Sequence, residues 1–130
     1  MSLERRVRAY ISAVEAGAAG EELAAFYHPD VVLDEYPNRL NPAGARRGLV
    51  EILQAAAAGQ ANMARQMFEI VTLTEAGDRV ALEMNWTGEL AAPLGMMKAG
   101  DKVTARIAQV IEFEDEKIIR QRSYDCFDQF

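Results

Sequence analysis

Apolar positions in the first sixty residues recur at three- and four-residue steps, and from Arg65 onward they alternate with polar ones. Leu3, Val7, Tyr10, Ile11 and Val14 mark one face of a first helix, since a helix turns once every 3.6 residues. Gly17 is placed to end it in a left-handed conformation. A short second helix follows Gly20. Glu21 and Glu22 fall in its first turn, where the helix dipole favours negative charge, and Leu23, Phe26 and Tyr27 form its stripe. Pro29 breaks it, because proline disfavours helical geometry in the residue before. Val31 opens a strand reaching about Tyr36, and the segment Pro37 to Gly44 is dense in turn residues and reads as an ordered loop. Leu49, Ile52, Leu53 and Ala56 mark a third helix, stopped by Gly59.

The second half has the alternation and the β-branched and aromatic enrichment of strands. Met67 to Thr74 turns at Ala76-Gly77-Asp78 into Val80 to Leu90, and Lys102 to Glu114 follows the loop Ala91 to Gly100. The acidic turn Glu114-Asp115-Glu116 leads into a last strand, Lys117 to Phe127. Helices first and then long antiparallel strands predict an α+β fold with the helices on one face of a curved sheet. No repeat or linker divides residues 1–130, so a single domain is expected.

Composition narrows the chemistry. Half of the 130 residues are apolar, enough for a real core, and the net charge of −6 is spread along the chain. That argues against a nucleic-acid or anionic-membrane surface, both of which need clustered positive charge. His28 and Cys126 are the single histidine and cysteine, so one chain cannot build a disulfide, a Cys/His zinc cluster or a Ser-His-Asp triad. With no signal-peptide pattern and no run of about 18 apolar residues, a cytoplasmic protein is expected.

Three strings carry a family resemblance: Tyr10-Ile11-Ser12-Ala13-Val14-Glu15-Ala16-Gly17, then Phe26-Tyr27-His28-Pro29-Asp30-Val31-Val32, then Lys117 to Phe127. In their order and spacing the chain resembles the nuclear transport factor 2-like superfamily over essentially its whole length, and in particular its SnoaL-like branch. The superfamily includes ketosteroid isomerases, limonene epoxide hydrolases, scytalone dehydratases and polyketide cyclases. The ending Tyr124-Asp125-Cys126-Phe127 resembles one subgroup of that branch. The resemblance implies a cone-shaped mixed sheet wrapped around N-terminal helices, an apolar pocket at its wide mouth and a homodimer through the outer sheet face; nothing in the sequence suggests a cofactor or metal, and none is expected.

Glu35 stands five residues after Asp30, the distance at which the resembled isomerases carry their base. If Val31 and Leu33 face inward, alternation sends Glu35 inward too, and an apolar cone should raise its pKa. Otherwise Glu35 sits at a strand end, solvated or bridged to Arg39, and a one-residue slip puts Tyr36 inside instead. On the last strand Gln121, Ser123 and Asp125 share a face, and the arginines Arg120 and Arg122 share the other, so the first face is assigned to the cavity with Ile119, and Ile118 to the outside. Asp125 is then a second pocket carboxylate or, alternatively, a turn cap near the C-terminus.

Tyr10 matches in its string the tyrosine that resembled isomerases use as an oxyanion donor, although a tyrosine on an apolar stripe is also ordinary core. Gln109 falls where those isomerases place a neutral carboxylic acid, and Met84 and Trp86 fall where the epoxide hydrolases place an Arg/Asp pair, which disfavours both reactions. Trp86 either lines the cavity or packs under the helices. Leu33 and Tyr36 are candidate cavity residues, and Asn38 and Arg39 stand where they could orient a polar ligand end, though turn chemistry also explains Asn38. The expected function is binding of a small, mostly apolar organic molecule, with possible acid–base conversion of isomerase, cyclase or dehydratase type: Glu35 as base, Asp125 as acid, Tyr10 as hydrogen-bond donor. A non-catalytic ligand-binding or dimerisation module is the alternative.

Overall fold

The computed structural model describes residues 2–130. The elements run α1 (Leu3–Glu15), α2 (Gly20–Ala24), β1 (Tyr27–Glu35), β2 (Ala45–Arg47), α3 (Leu49–Asn62), β3 (Met63–Ala76), β4 (Arg79–Leu90), β5 (Lys102–Glu114) and β6 (Lys117–Phe127). The strands form one sheet in the order β2-β1-β6-β5-β4-β3, with β1 parallel to β6 and every other neighbour antiparallel. This is the expected mixed α+β cone, and the sheet curves where extra residues interrupt its ladders. Breaks lie between Ile70 and Thr72 on β3, and between Glu112 and Phe113 on β5.

α1 begins at Ser2, whose side chain accepts from the Arg5 N–H at 3.2 Å, and the Glu75 carboxylate accepts from Glu4 N–H at 2.9 Å. Both satisfy donors that a helix start leaves unpaired. Val7, Tyr10 and Ile11 are the buried stripe of α1, and they meet the inner residues Val80, Leu82, Met84 and Trp86 of β4 in one core cluster. The uninterrupted alternation of β4, with Val80, Leu82, Met84, Trp86 and Leu90 all buried, is as expected.

Four features differ from expectation. β1 starts at Tyr27, which the sequence pattern puts in α2. Pro29 is tolerated because pairing with β6 lapses between Tyr27 and Val32, so its missing N–H breaks no ladder bond. α3 runs through Gly59 to Asn62, where Gln60 Nε2 donates to the carbonyl of Gly17, and β3 accordingly begins at Met63 rather than Met67. On β6 the bulge falls at Ile119: Phe113 pairs with Ile118 and Glu112 with Arg120, so Ile118, 1% exposed, faces the core instead of Ile119. β2 was not expected. It pairs with the end of β1 after a turn at Gly44 (φ +67), where a Cβ would come within 2.7 Å of the Glu35 carbonyl.

Candidate functional site

Ladder register puts a row of side chains across the inner face of the sheet. Glu35 lies beside Ser123, Ser123 opposite Gln109, and Gln109 opposite Leu82. The row on one side holds Leu33, Gln121, Ile111 and Val80, and on the other Asp125, Ile107 and Met84. The next is Phe127, Ala105 and Trp86. Alternation along β6 therefore brings Gln121, Ser123 and Asp125 onto the face that Glu35 and Leu33 share.

These polar groups form one chain of hydrogen bonds. The Tyr27 and Tyr10 hydroxyls are 2.7 Å apart, and Gln121 Nε2 donates to the Tyr10 hydroxyl at 3.1 Å and to Gln109 Oε1 at 2.9 Å. Gln109 Nε2 donates to Ser123 Oγ at 3.2 Å, and Ser123 Oγ donates to Asp125 Oδ1 at 2.7 Å. Gln121 is 1% and Ser123 6% exposed. Full pairing is what permits uncharged polar groups so deep in a core. Tyr10 is thus two residues removed from Ser123 along the chain, with its hydroxyl committed to Tyr27 and Gln121. Burial raises the pKa of both phenols, so both stay protonated at neutral pH.

The carboxyl groups differ. Glu35 Oε1 accepts from Arg47 Nη1 at 2.8 Å and Oε2 from Asn38 Nδ2 at 2.8 Å. Burial pushes the Glu35 carboxyl up, but the Arg47 and Asn38 hydrogen bonds and the Arg47 charge outweigh it and hold the group below the usual range. The expected rise at Glu35 is therefore reversed, and its partner is Arg47, not Arg39. Asp125 moves the other way. Burial raises its pKa, the Ser123 hydrogen bond opposes this, and the Glu35 charge adds to it, leaving the carboxyl above its ordinary value. Environments that drive two neighbouring carboxyls apart separate an anion from a proton carrier.

The other candidates divide by face. Tyr36 points outward and stacks on Tyr124, ring centroids 4.8 Å apart, so the one-residue slip that would turn it inward does not occur. Asn38 spends one amide hydrogen on Glu35 and another on the Tyr36 carbonyl, and its oxygen accepts from Leu40 and Asn41 N–H at 3.0 Å. Its turn chemistry and its place beside Glu35 are one arrangement. Arg39 lies over the Phe130 ring, 4.5 Å from its centroid. Trp86 crosses the small Ala105 to meet Phe127 edge-on at 5.9 Å, and Phe127 meets Phe130 at 6.5 Å. Its indole N–H donates to Gln66 Oε1 at 3.1 Å, and it leaves no room for a Cβ at Gly88.

A cleft of about 470 Å³ opens between the end of α1, α3 and the start of β3, where Val14, Leu23, Ala56, Met63 and Gln66 line it. A second of about 450 Å³ lies on the outer sheet face around Val71, Arg106, Ala108 and Tyr124, and a third of about 290 Å³ between α1 and β3. Neither Glu35 nor Asp125 lines any of these three. In the ladder Glu35 stands instead beside Ser123 and Asp125 opposite Ile107, with Phe127, Ala105 and Trp86 in the next row of the same face. Sequence reasoning missed Arg47 and Tyr27. The charge of Glu35 on an inner face was the signal for a cationic partner, but the position of that partner depends on the turn at Gly44.

Among the described residues no group of three or more His, Cys, Asp or Glu side chains is arranged to hold a metal ion. Among the described residues no helix is long and apolar enough to cross a membrane.

Residues 7–121 match the model of the SnoaL-like domain family. No curated protein matches the sequence. Among solved structures, a SnoaL-like polyketide cyclase from Agrobacterium tumefaciens superposes with a TM-score of 0.73 at 20% identity, over 99% of this chain and 93% of that one. A nuclear transport factor 2-like protein of unknown function from Burkholderia pseudomallei gives 0.75 at 18%, over 98% and 92%. A protein with a ketosteroid isomerase-like fold from Catenulispora acidiphila, solved in complex with trimethylamine, gives 0.68 at 20%, over 92% and 83%.

Proposed function

The chain belongs to the SnoaL-like domain family, and from that premise we propose that it binds a small, mostly apolar organic molecule and exchanges a proton with it at Asp125. The apolar body would rest against Trp86, Ile107 and Phe127 on the inner face, with a polar end at Asp125. The observation that carries this reading is the position of Asp125. It is a half-buried carboxyl with one oxygen fixed by Ser123, at the end of a polar chain whose other members are paired among themselves. A carboxyl shifted above its ordinary pKa is better suited to give and take a proton than an unshifted one, and does so without any cofactor. Glu35, with both oxygens engaged, is a poor base and acts here as a fixed charge. Tyr10, through Gln121, Gln109 and Ser123, holds the chain in register instead of touching the ligand.

Calorimetric titration with a panel of aromatic phenols and ketones tests the proposal. At least one should bind the wild-type chain and lose about tenfold in affinity in Asp125→Ala, and for a converted compound Asp125→Asn should lower turnover by roughly two orders of magnitude. Unchanged affinity and turnover would refute it. The alternative, a non-catalytic ligand-binding or dimerisation module, is favoured by the position of Glu35 and Asp125 outside all three clefts. It predicts binding that Asp125→Asn leaves intact, with no conversion of any bound compound.

We further propose that two copies associate through the outer sheet face. The exposed Met67, Val71, Tyr36 and Tyr124 support this, since together they leave large apolar groups on a surface flanked by ion pairs. Sedimentation equilibrium should give a dimer that Tyr124→Glu splits; a wild-type monomer at all concentrations would refute it.

A further inference from the structure

Arg46 and Arg47 are consecutive, and β2 sends them to opposite faces. Arg46 meets Asp34 on the outside at 3.5 Å with 68% of its side chain exposed, a surface pair of little energetic weight. Arg47, opposite Leu33 in the ladder, turns inward to Glu35, and these two side chains are 24% and 20% exposed. With Asn38 on the second oxygen, Glu35 becomes an anion that neither rotates nor readily accepts a proton. It is held beside Ser123, one step along the same face from Asp125.

We infer that Arg47 is a positioning residue for the proton on Asp125: it pins Glu35 as a fixed anion, and that anion, one step along the same face, opposes ionisation of Asp125. The inference rests on the reading of Asp125 as the proton-exchanging group, but it concerns the ligand-free protein. In the ladder Asp125 lies opposite Ile107 of β5, which lies opposite Met84 of β4. Its neighbours on the same face are Ser123 and Phe127 of β6, Gln109 of β5, Trp86 of β4 and, beside Ser123, Glu35 of β1, which carries Arg47 of β2 and Asn38 on its two oxygens. Glu35 and Arg47 are the charged groups of that set, so the charge contribution at Asp125, which adds to the larger effect of burial, depends on how completely Arg47 holds Glu35. Like charges one step apart on a half-buried face oppose each other's ionisation more strongly than in water. Burial acts on Asp125 in the same direction, so removing Glu35 relieves part of the effect and not all of it.

Carboxyl-carbon NMR titration of the ligand-free protein tests the inference, with the two resonances assigned from Asp125→Asn and Glu35→Gln. In Glu35→Gln the Asp125 midpoint should fall by roughly half a pH unit or more, and an unmoved midpoint overturns the inference. In Arg47→Met the Glu35 midpoint should rise and the two carboxyls should titrate as a coupled pair in two broad steps. Arg47→Lys should restore the separate titrations, an effect that a merely structural loss would not produce. A Glu35 midpoint unmoved in Arg47→Met also overturns the inference, and if that variant does not fold, Glu35→Gln decides alone. Because no ligand is present, failure here leaves small-molecule binding standing, and failure of binding leaves the charge coupling standing.

Discussion

The polar chain on the inner face has two ends built on different principles. At the Tyr10, Tyr27 and Gln121 end every group is uncharged, buried and paired. At the Glu35 and Asp125 end both groups ionise, solvent is nearer, and one carboxyl is clamped while the other is held by a single hydroxyl. The contrast follows from desolvation. An uncharged hydroxyl or amide can be buried once its bonds are met, but an ionised carboxylate needs a counter-charge or must keep its proton. Glu35 takes the first route and Asp125 is shifted toward the second, so the deep end contributes stability and the shallow end is where the proposed proton exchange would take place.

Breaking the deep end should have the largest effect. Gln121→Leu fills the space but leaves the Tyr10 hydroxyl and Gln109 without their shared partner, and should cost about 2–3 kcal/mol in chemical denaturation. Adding Tyr10→Phe to it should cost less than the two single changes summed, since the Tyr10–Gln121 bond can be lost only once, although the Tyr27 hydroxyl then loses its partner. A fully additive double variant would contradict the idea of a connected chain.

Breaking the clamp should cost less and depend on pH. Arg47→Ala should lose roughly 1–2 kcal/mol near neutral pH, between the values for surface and buried pairs. The Glu35 pKa is lowered on folding, so its contribution is present above the unfolded carboxylate range and is lost as pH falls through the folded value. Denaturation midpoints of Arg47→Ala and wild type should therefore converge in acid, and a pH-independent gap would contradict the clamp.

Relieving the shallow end should have the smallest effect, and of opposite sign. The Asp125 pKa is raised on folding, so ionising it costs stability that is absent below the unfolded pKa and fully felt above the folded one. Asp125→Asn keeps an acceptor for Ser123 and should gain less than about 1 kcal/mol at pH 8, after allowance for solvent screening, and nothing in acid. A loss of stability at pH 8 would assign Asp125 a structural role.

Much of this was legible in the sequence where alternation ran unbroken. β4 is one such run, and the inward set Gln121, Ser123 and Asp125 followed from placing Arg120 and Arg122 on the other face. What escaped depended on single extra residues and on contacts distant along the chain. The bulge at Ile119 exchanges the faces of Ile118 and Ile119, and nothing in two adjacent isoleucines announces it. β2 is three residues long, too short for a period to show, and its importance lies in a turn at Gly44 that carries Arg47 back to Glu35. The inward position of Glu35 followed from alternation, but the direction of its pKa shift required knowing that Arg47 arrives beside it. No local motif names a ligand, since the shape of any pocket follows from how the helices pack on the sheet.

The central claim is that one inner-face carboxyl is kept as an anion and the other as a proton carrier. Its most direct test is the pair of titration curves of Glu35 and Asp125 in the wild-type, ligand-free protein, followed at their side-chain carboxyl carbons. The account predicts that Glu35 titrates below the ordinary carboxylate range and Asp125 above it; the reverse order, or two curves in the ordinary range, would contradict it.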